Sequence, residues 1–134
     1  MPEKKTIERA RRDARQGKAP STQAGEFVRE EIHHVREGKH GARSTKQLIA
    51  IGLSKARRAG VKLAPPKKGT ASARTRKQAA RDSRTGQHRH AKPSAARSRA
   101  VSRKLKREQH GAASRRALAA HAKRAARTRR RNRG

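Results

Sequence analysis

Large apolar residues are spread unevenly along this chain. Outside alanine they are Met1, Ile7, Phe27, Val28, Ile32, Val35, Leu48, Ile49, Ile51, Leu53, Val61, Leu63, Val101, Leu105 and Leu118, and ten of these fifteen lie between 26 and 63. A core can form only where such residues cluster, so this window organises the reading. In QAGEFVREEIHHVREG, Phe27, Val28, Ile32 and Val35 fall within roughly 140° of a helical wheel, the mark of an amphipathic helix. Glu26, Arg29, Glu30, His33 and Arg36 take the opposite, mixed and partly acidic side. Glu31 sits inside the apolar stripe, where a carboxylate needs a basic partner from another element. Gly38 stops the helix, and GKHGAR follows as a short turn.

STKQLIAIGLSKARRAG predicts a second helix with both ends marked. Ser44 followed by Gln47 is a capping-box pattern, and Gly60 stands where a left-handed C-cap belongs, with Val61 able to fold back on the last turn. Leu48, Ile49, Ile51, Gly52, Leu53, Ala56 and Ala59 spread over roughly 200°, too wide for one neighbour. Residues 24–64 therefore read as a helical hairpin, completed by the first helix or by a second copy of the chain. That first helix, within residues 1–17, starts after Pro2, stops at Gly17 and carries only a thin stripe of Ile7, Ala10 and Ala14, so it is marginal by itself. Residues 18–23 read as a linker.

Charge changes the picture beyond Pro65-Pro66. The 134 residues carry 40 Lys plus Arg against 9 Asp plus Glu, a net charge of +31. Residues 65–134 hold 24 of the cations, 17 of them Arg, and only two acids. Low hydrophobicity with this much charge is the composition of a chain that cannot offset its own ordering entropy. The expected architecture is mainly α, a small hairpin followed by a long disordered basic tail over 65–134 that becomes helical on binding. No fixed-period repeat emerges; the tail reads as composition bias.

The histidines and carboxylates supply no recognisable catalytic or metal-ligating pattern. His33, His34 and His40 are near in sequence and His88 with His90 makes an H-x-H, but neither set has a companion ligand at a known metal spacing. Glu30 and Glu31, at i and i+1, cannot act as a facing acid/base pair. With no cysteine there is neither disulfide nor thiolate site. The chain is read as non-enzymatic, without metal or cofactor. No apolar run approaches the ~20 residues that cross a bilayer, no aromatic anchors suit a membrane surface, and the start lacks the apolar region of a secretory signal. The expected setting is cytoplasmic.

The cations are the signal, and the partner they imply is DNA. In the hairpin the candidate contacts are Lys39, Arg43, Ser44, Lys46, Gln47, Lys55, Arg57 and Arg58, with the helix start at Ser44 also suited to a phosphate. In the tail they are Lys67, Lys68, Arg74, Arg76 and Lys77, then Arg103, Lys104, Lys106 and Arg107, and finally Arg115, Arg116, Lys123, Arg124, Arg127, Arg129, Arg130 and Arg131. Arginine's planar fork suits phosphates and guanine edges. Sequence-specific RNA recognition uses stacked aromatics, and Phe27 is the one aromatic residue here. The alternative is an RNA- or ribosome-associated protein that binds by charge and shape.

The run EFVREEIHHVREGKHGARSTKQLIAIGLSKARRAGVKL, residues 26–63, resembles an uncharacterised family of short basic bacterial proteins, often labelled plasmid stabilisation protein or DNA-binding protein. The most specific portion is QLIAIGLSKARRAG, where Leu48 stands at a position the pattern fills with Ala. The resemblance implies a bacterial origin and a DNA-linked role, and names no catalytic residue. Together these readings lead to a largely sequence-independent DNA binder at the bacterial nucleoid or in plasmid stabilisation, with the hairpin supplying either positioning or self-association into a homo-oligomer.

Overall fold

The computed structural model describes residues 3–87 and 95–133. They form α1 (Lys4–Arg15), α2 (Pro20–Arg36), α3 (Thr45–Arg58), α4 (Ala73–Gln87), α5 (Ala95–Arg107), a 3-10 turn (Gly111–Ala113) and α6 (Arg115–Arg133). Among the described residues the one extended pairing is the isolated Lys68–Ala71 bridge. The chain divides into two units: residues up to Glu31 with Ala50 onward through α4, and Ile32–Ile49 with α5, the 3-10 turn and α6. Both α2 and α3 contribute to each unit.

The first unit closes around Phe27, Ala24, Ala10, Ala56 and Val61, with Ile7, Leu53, Ala59 and Leu63 packed against them. The second helix of the predicted hairpin meets the first here, because Gly52 has no side chain: a Cβ at this position would lie 2.7 Å from the Cα of Val28. Helix α1 covers the side of α2 that the wheel assigned to solvent. Glu30, 4 % exposed, accepts hydrogen bonds from the Glu3 N–H at 2.5 Å and the Thr6 hydroxyl at 3.1 Å, while Arg9 pairs with Glu26 at 3.2 Å. The acidic side of α2 is thus a docking face for a basic helix, and the buried row of α1 is Thr6, Ala10 and Asp13. Ala14 is exposed.

Glu31, fully buried, receives the ammonium of Lys55, the partner its place in the apolar stripe demands. At the end of α3, Gly60 has φ +101°, the Gly60 N–H donates to the Arg57 carbonyl and the Val61 N–H to the Ala56 carbonyl. This is the left-handed C-cap that the sequence predicts. The 18–23 segment is not simply a linker, since α2 already begins at Pro20.

The expectation of a long disordered tail is overturned. Helix α4 belongs to the first unit: Ala79 and Asp82 are buried, and Asp82 accepts from Ser54 at 2.7 Å, Arg58 at 3.1 Å and Gln78 at 3.1 Å. A Cβ on Gly86 would lie 1.8 Å from the Arg57 carbonyl oxygen, so α4 comes to backbone contact with α3. Alanine and arginine are strong helix formers, and a single buried acid offsets local repulsion while fixing the register. Replacing Asp82 by alanine is expected to lower stability by about 2 kcal/mol, because three donors lose a buried acceptor. Arg58 is half exposed and contributes the smaller part. Urea unfolding followed by circular dichroism checks this.

The second unit has its own core of Val35, Ala42, Leu48, Ala112 and Ala113, with Ile32 alongside. Its backbone ties are specific: the Gly41 N–H donates to the Leu105 carbonyl at 2.7 Å and the Ala42 N–H to the Gln109 carbonyl at 2.8 Å. The Thr45 hydroxyl donates to the Ala112 carbonyl at 2.6 Å and Arg36 Nε to the Ala113 carbonyl at 3.0 Å. Two copies of a short motif, His40-Gly-Ala-Arg-Ser44 and His110-Gly-Ala-Ala-Ser114, start α3 and α6. Each serine caps its helix, accepting from the Gln47 N–H and the Ala117 N–H at 3.1 Å. Within the wide stripe of α3, Leu53 and Ala56 pack with Ile7 and Ala10 in one unit, and Leu48 packs with Ala112 and Ala113 in the other.

Candidate nucleic-acid interface

Burial sorts the candidate residues. Arg57 is 6 % exposed and donates to the Leu63 and Ala64 carbonyls, the latter at 2.9 Å, so it holds the chain after α3 in place. Burial pushes its pKa down and Asp82 opposes that shift. Lys55 is committed to Glu31 and Arg58 to Asp82. Lys55, Arg57 and Arg58 are therefore engaged within the fold, Arg58 with half of its side chain still exposed, and Lys46 is exposed on the same helix.

The start of α3 is likewise self-satisfied. Ser44 takes the Gln47 N–H, and the Gln47 side chain reaches back to the Arg43 N–H at 2.6 Å, one residue before the position a reciprocal capping box uses. These amides are therefore engaged by the chain itself. Lys39 and Arg43 are exposed on the turn before α3, and Lys39 pairs with Glu37 at 3.4 Å. Lys67, Lys68, Arg74 and Lys77 are exposed on and before α4, whereas Arg76 turns inward to the Pro66 carbonyl.

The second unit presents the rest. Arg103, Lys104, Lys106 and Arg107 are exposed on α5, which buries no residue. On α6 Arg115, Arg116, Lys123, Arg124, Arg127, Arg129, Arg130 and Arg131 are all exposed. Among the described residues no ion pair reaches any of these eight. The acids explain the contrast: of nine in the chain, seven lie in the first unit and only Glu37 and Glu108 in the second.

Sequence reading listed the α6 cations but treated them as equivalent points on an unfolded tail. On the formed helix, Arg116, Lys123, Arg124, Arg127, Arg130 and Arg131 fall within about 120° of the axis, at ~100° per residue. Arg115 and Arg129 lie off that stripe. The i, i+3, i+4, i+7 spacing was available in the sequence, but it is informative only for a helix. Arg81 and Arg84, exposed on α4, and Arg99 on α5 were passed over and belong to the same exposed cation set. His34 and His40 contact each other edge to face at 5.9 Å, while His88 and His90 lie outside the described residues. Among the described residues no helix is long and apolar enough to cross a membrane.

Residues 3–68 are similar to a family of unknown function, DUF6496. The match takes in α1, α2, α3 and the segment up to Lys68, including the 26–63 run, and stops before α4. No curated protein and no solved structure matches this chain.

Proposed function

We propose that this protein is a non-enzymatic, largely sequence-independent binder of duplex DNA, serving nucleoid organisation or plasmid maintenance in the bacterial cytoplasm. The observation that carries the reading is the state of α6: eight exposed Lys and Arg side chains on one helix, none neutralised by an acid among the described residues. Holding such charges together is unfavourable without an anionic partner. A phosphate backbone supplies it, and the release of condensed counterions drives the association. Elsewhere the chain places acids against its bases, as Arg9–Glu26, Lys18–Asp13 and Arg58–Asp82 show. The first unit thus uses its few acids to fold, and the second leaves its cations available. A bound chain that spans more than one duplex segment would compact DNA by avidity.

The test is a salt titration of the full chain against mixed-sequence duplex DNA and structured RNA of equal length. The full chain is required, because α4 is part of the first unit and the 3-10 turn completes the core of the second, and truncation at residue 64 would remove both. With about ten phosphate contacts the slope of log K against log salt is expected near −9, with little dependence on sequence. A slope near zero, or one operator bound far more tightly than other DNA, contradicts the reading. RNA preferred by more than tenfold at physiological salt replaces it with the RNA-associated alternative.

A further inference from the structure

We infer that α6 is the element that enters the major groove of duplex DNA, seated by its cationic stripe; this rests on the DNA-binding reading and goes beyond it by assigning the surface and the groove. The cations line a groove on the helix surface formed by Arg116, Ala119, Ala120, Lys123, Arg124 and Arg127. Arg130 and Arg131 continue the stripe toward the end of the helix. From Arg116 to Arg131 it runs about 22 Å at ~1.5 Å per residue. Ala119 and Ala120, between the long side chains, keep the helix surface low where a base-pair edge must approach.

The width of the stripe decides the mode of docking. Arg116 and Arg127 lie near its midline, with Lys123 and Arg130 to one side and Arg124 and Arg131 to the other. A helix resting on the outside of one strand would use only a single row. A helix in a groove meets phosphates on both banks with its flanks and base edges with its midline. The major groove of B-form DNA, about 12 Å wide, admits a helix of about 10–12 Å diameter; the minor groove, about 6 Å wide, does not. The deep, narrow major groove of A-form RNA excludes it too. The midline arginines then point to the floor of the groove, and the flanking cations face phosphates on its two banks.

Helices α4 and α5 are poorer candidates for this role. The face of α5 containing Ala100, Arg103, Lys104 and Arg107 ends at Glu108, which lines the same depression and repels phosphate. One side of α4 is committed to the first unit through Ala79 and Asp82.

The experiment uses the full chain and two charge-matched pairs of substitutions. Arg116→Gln with Arg127→Gln removes two cations from the midline; Arg115→Gln with Arg129→Gln removes two from outside the stripe. Glutamine keeps helix propensity, and circular dichroism verifies folding. The midline pair is expected to weaken binding to a mixed-sequence duplex at least tenfold more than the other pair. A second measurement needs no variant: the wild-type chain is titrated onto the same duplex carrying bulky major-groove adducts, and onto the unmodified duplex saturated with a minor-groove ligand. The adducts are expected to reduce affinity at least tenfold, while the minor-groove ligand leaves it within twofold. Equal losses from the two pairs, or binding indifferent to the adducts, overturn the major-groove assignment while a steep salt slope leaves DNA binding standing. Loss of the salt slope in the wild-type chain removes the underlying reading instead.

Discussion

Replacing Gly41 by alanine is expected to unfold the second unit, whereas the same change at Gly111, the equivalent position in the second copy of the motif, is expected to be nearly silent. A Cβ on Gly41 would stand 1.8 Å from the Glu108 carbonyl oxygen and 2.5 Å from that of Gln109. Both obstacles are backbone, so no rotamer change relieves them. The strands of chain must separate, and with them go the Gly41–Leu105 and Ala42–Gln109 hydrogen bonds. Overpacking with loss of buried hydrogen bonds sets the cost at about 3 kcal/mol or more. A Cβ on Gly111 meets nothing within 4 Å, and its φ is not in the left-handed region. Thermal unfolding and two-dimensional NMR of the two variants make the comparison directly. Equal effects would show that the second unit is not assembled through the Gly41 contact.

The second large effect is expected at Glu31. Its side chain is completely buried and bound to Lys55, itself only 24 % exposed. Glu31→Ala leaves a desolvated ammonium without this carboxylate and a cavity where the acid stood, at a cost of about 3–5 kcal/mol. Lys55→Ala takes this ammonium away from a fully buried carboxylate and is expected to cost a similar amount. The double change Glu31→Leu with Lys55→Met, which replaces the pair by apolar groups, is expected to recover most of the loss. Urea midpoints for the three variants decide it; a double variant as unstable as the singles would mean that the pair is worth more than its desolvation.

What could be read in advance follows from the kinds of residue involved. The stripes of α2 and α3 were legible because Phe27, Val35 and Leu48 are large and correctly spaced, and the end of α3 because Gly60 has a recognisable job. The need of Glu31 for a cation was legible for the same reason. Glu30 was misread because a wheel divides one helix into inside and outside, while α1 packs on the side that looks polar. Arg57 was misread as a surface cation, since the Leu63 and Ala64 carbonyls that engage it are backbone groups; Arg58 is exposed, and its partner Asp82 is distant in sequence.

The C-terminal half was missed for a more general reason. Its buried residues are Ala79, Ala112 and Ala113 with Asp82, and an account built on large side chains assigns such residues no core. In these units small residues allow backbones to approach closely, as at Gly41 and Gly86, and at Gly41 to hydrogen-bond directly, so order arises from close contact more than from apolar volume. The repeated His-Gly-Ala-x-Ser motif was visible as letters. Its meaning, two serine-capped helix starts in one unit, is not visible without the fold.

The measurement that tests the central claim most directly is NMR of the full chain, uniformly labelled, before and after addition of a mixed-sequence duplex at moderate salt. The account predicts helical carbon shifts across residues 95–133 in the free chain, and perturbation on adding DNA concentrated on α6 while α1 is little changed. Random-coil shifts in the free tail, or perturbations that leave α6 untouched, would contradict it.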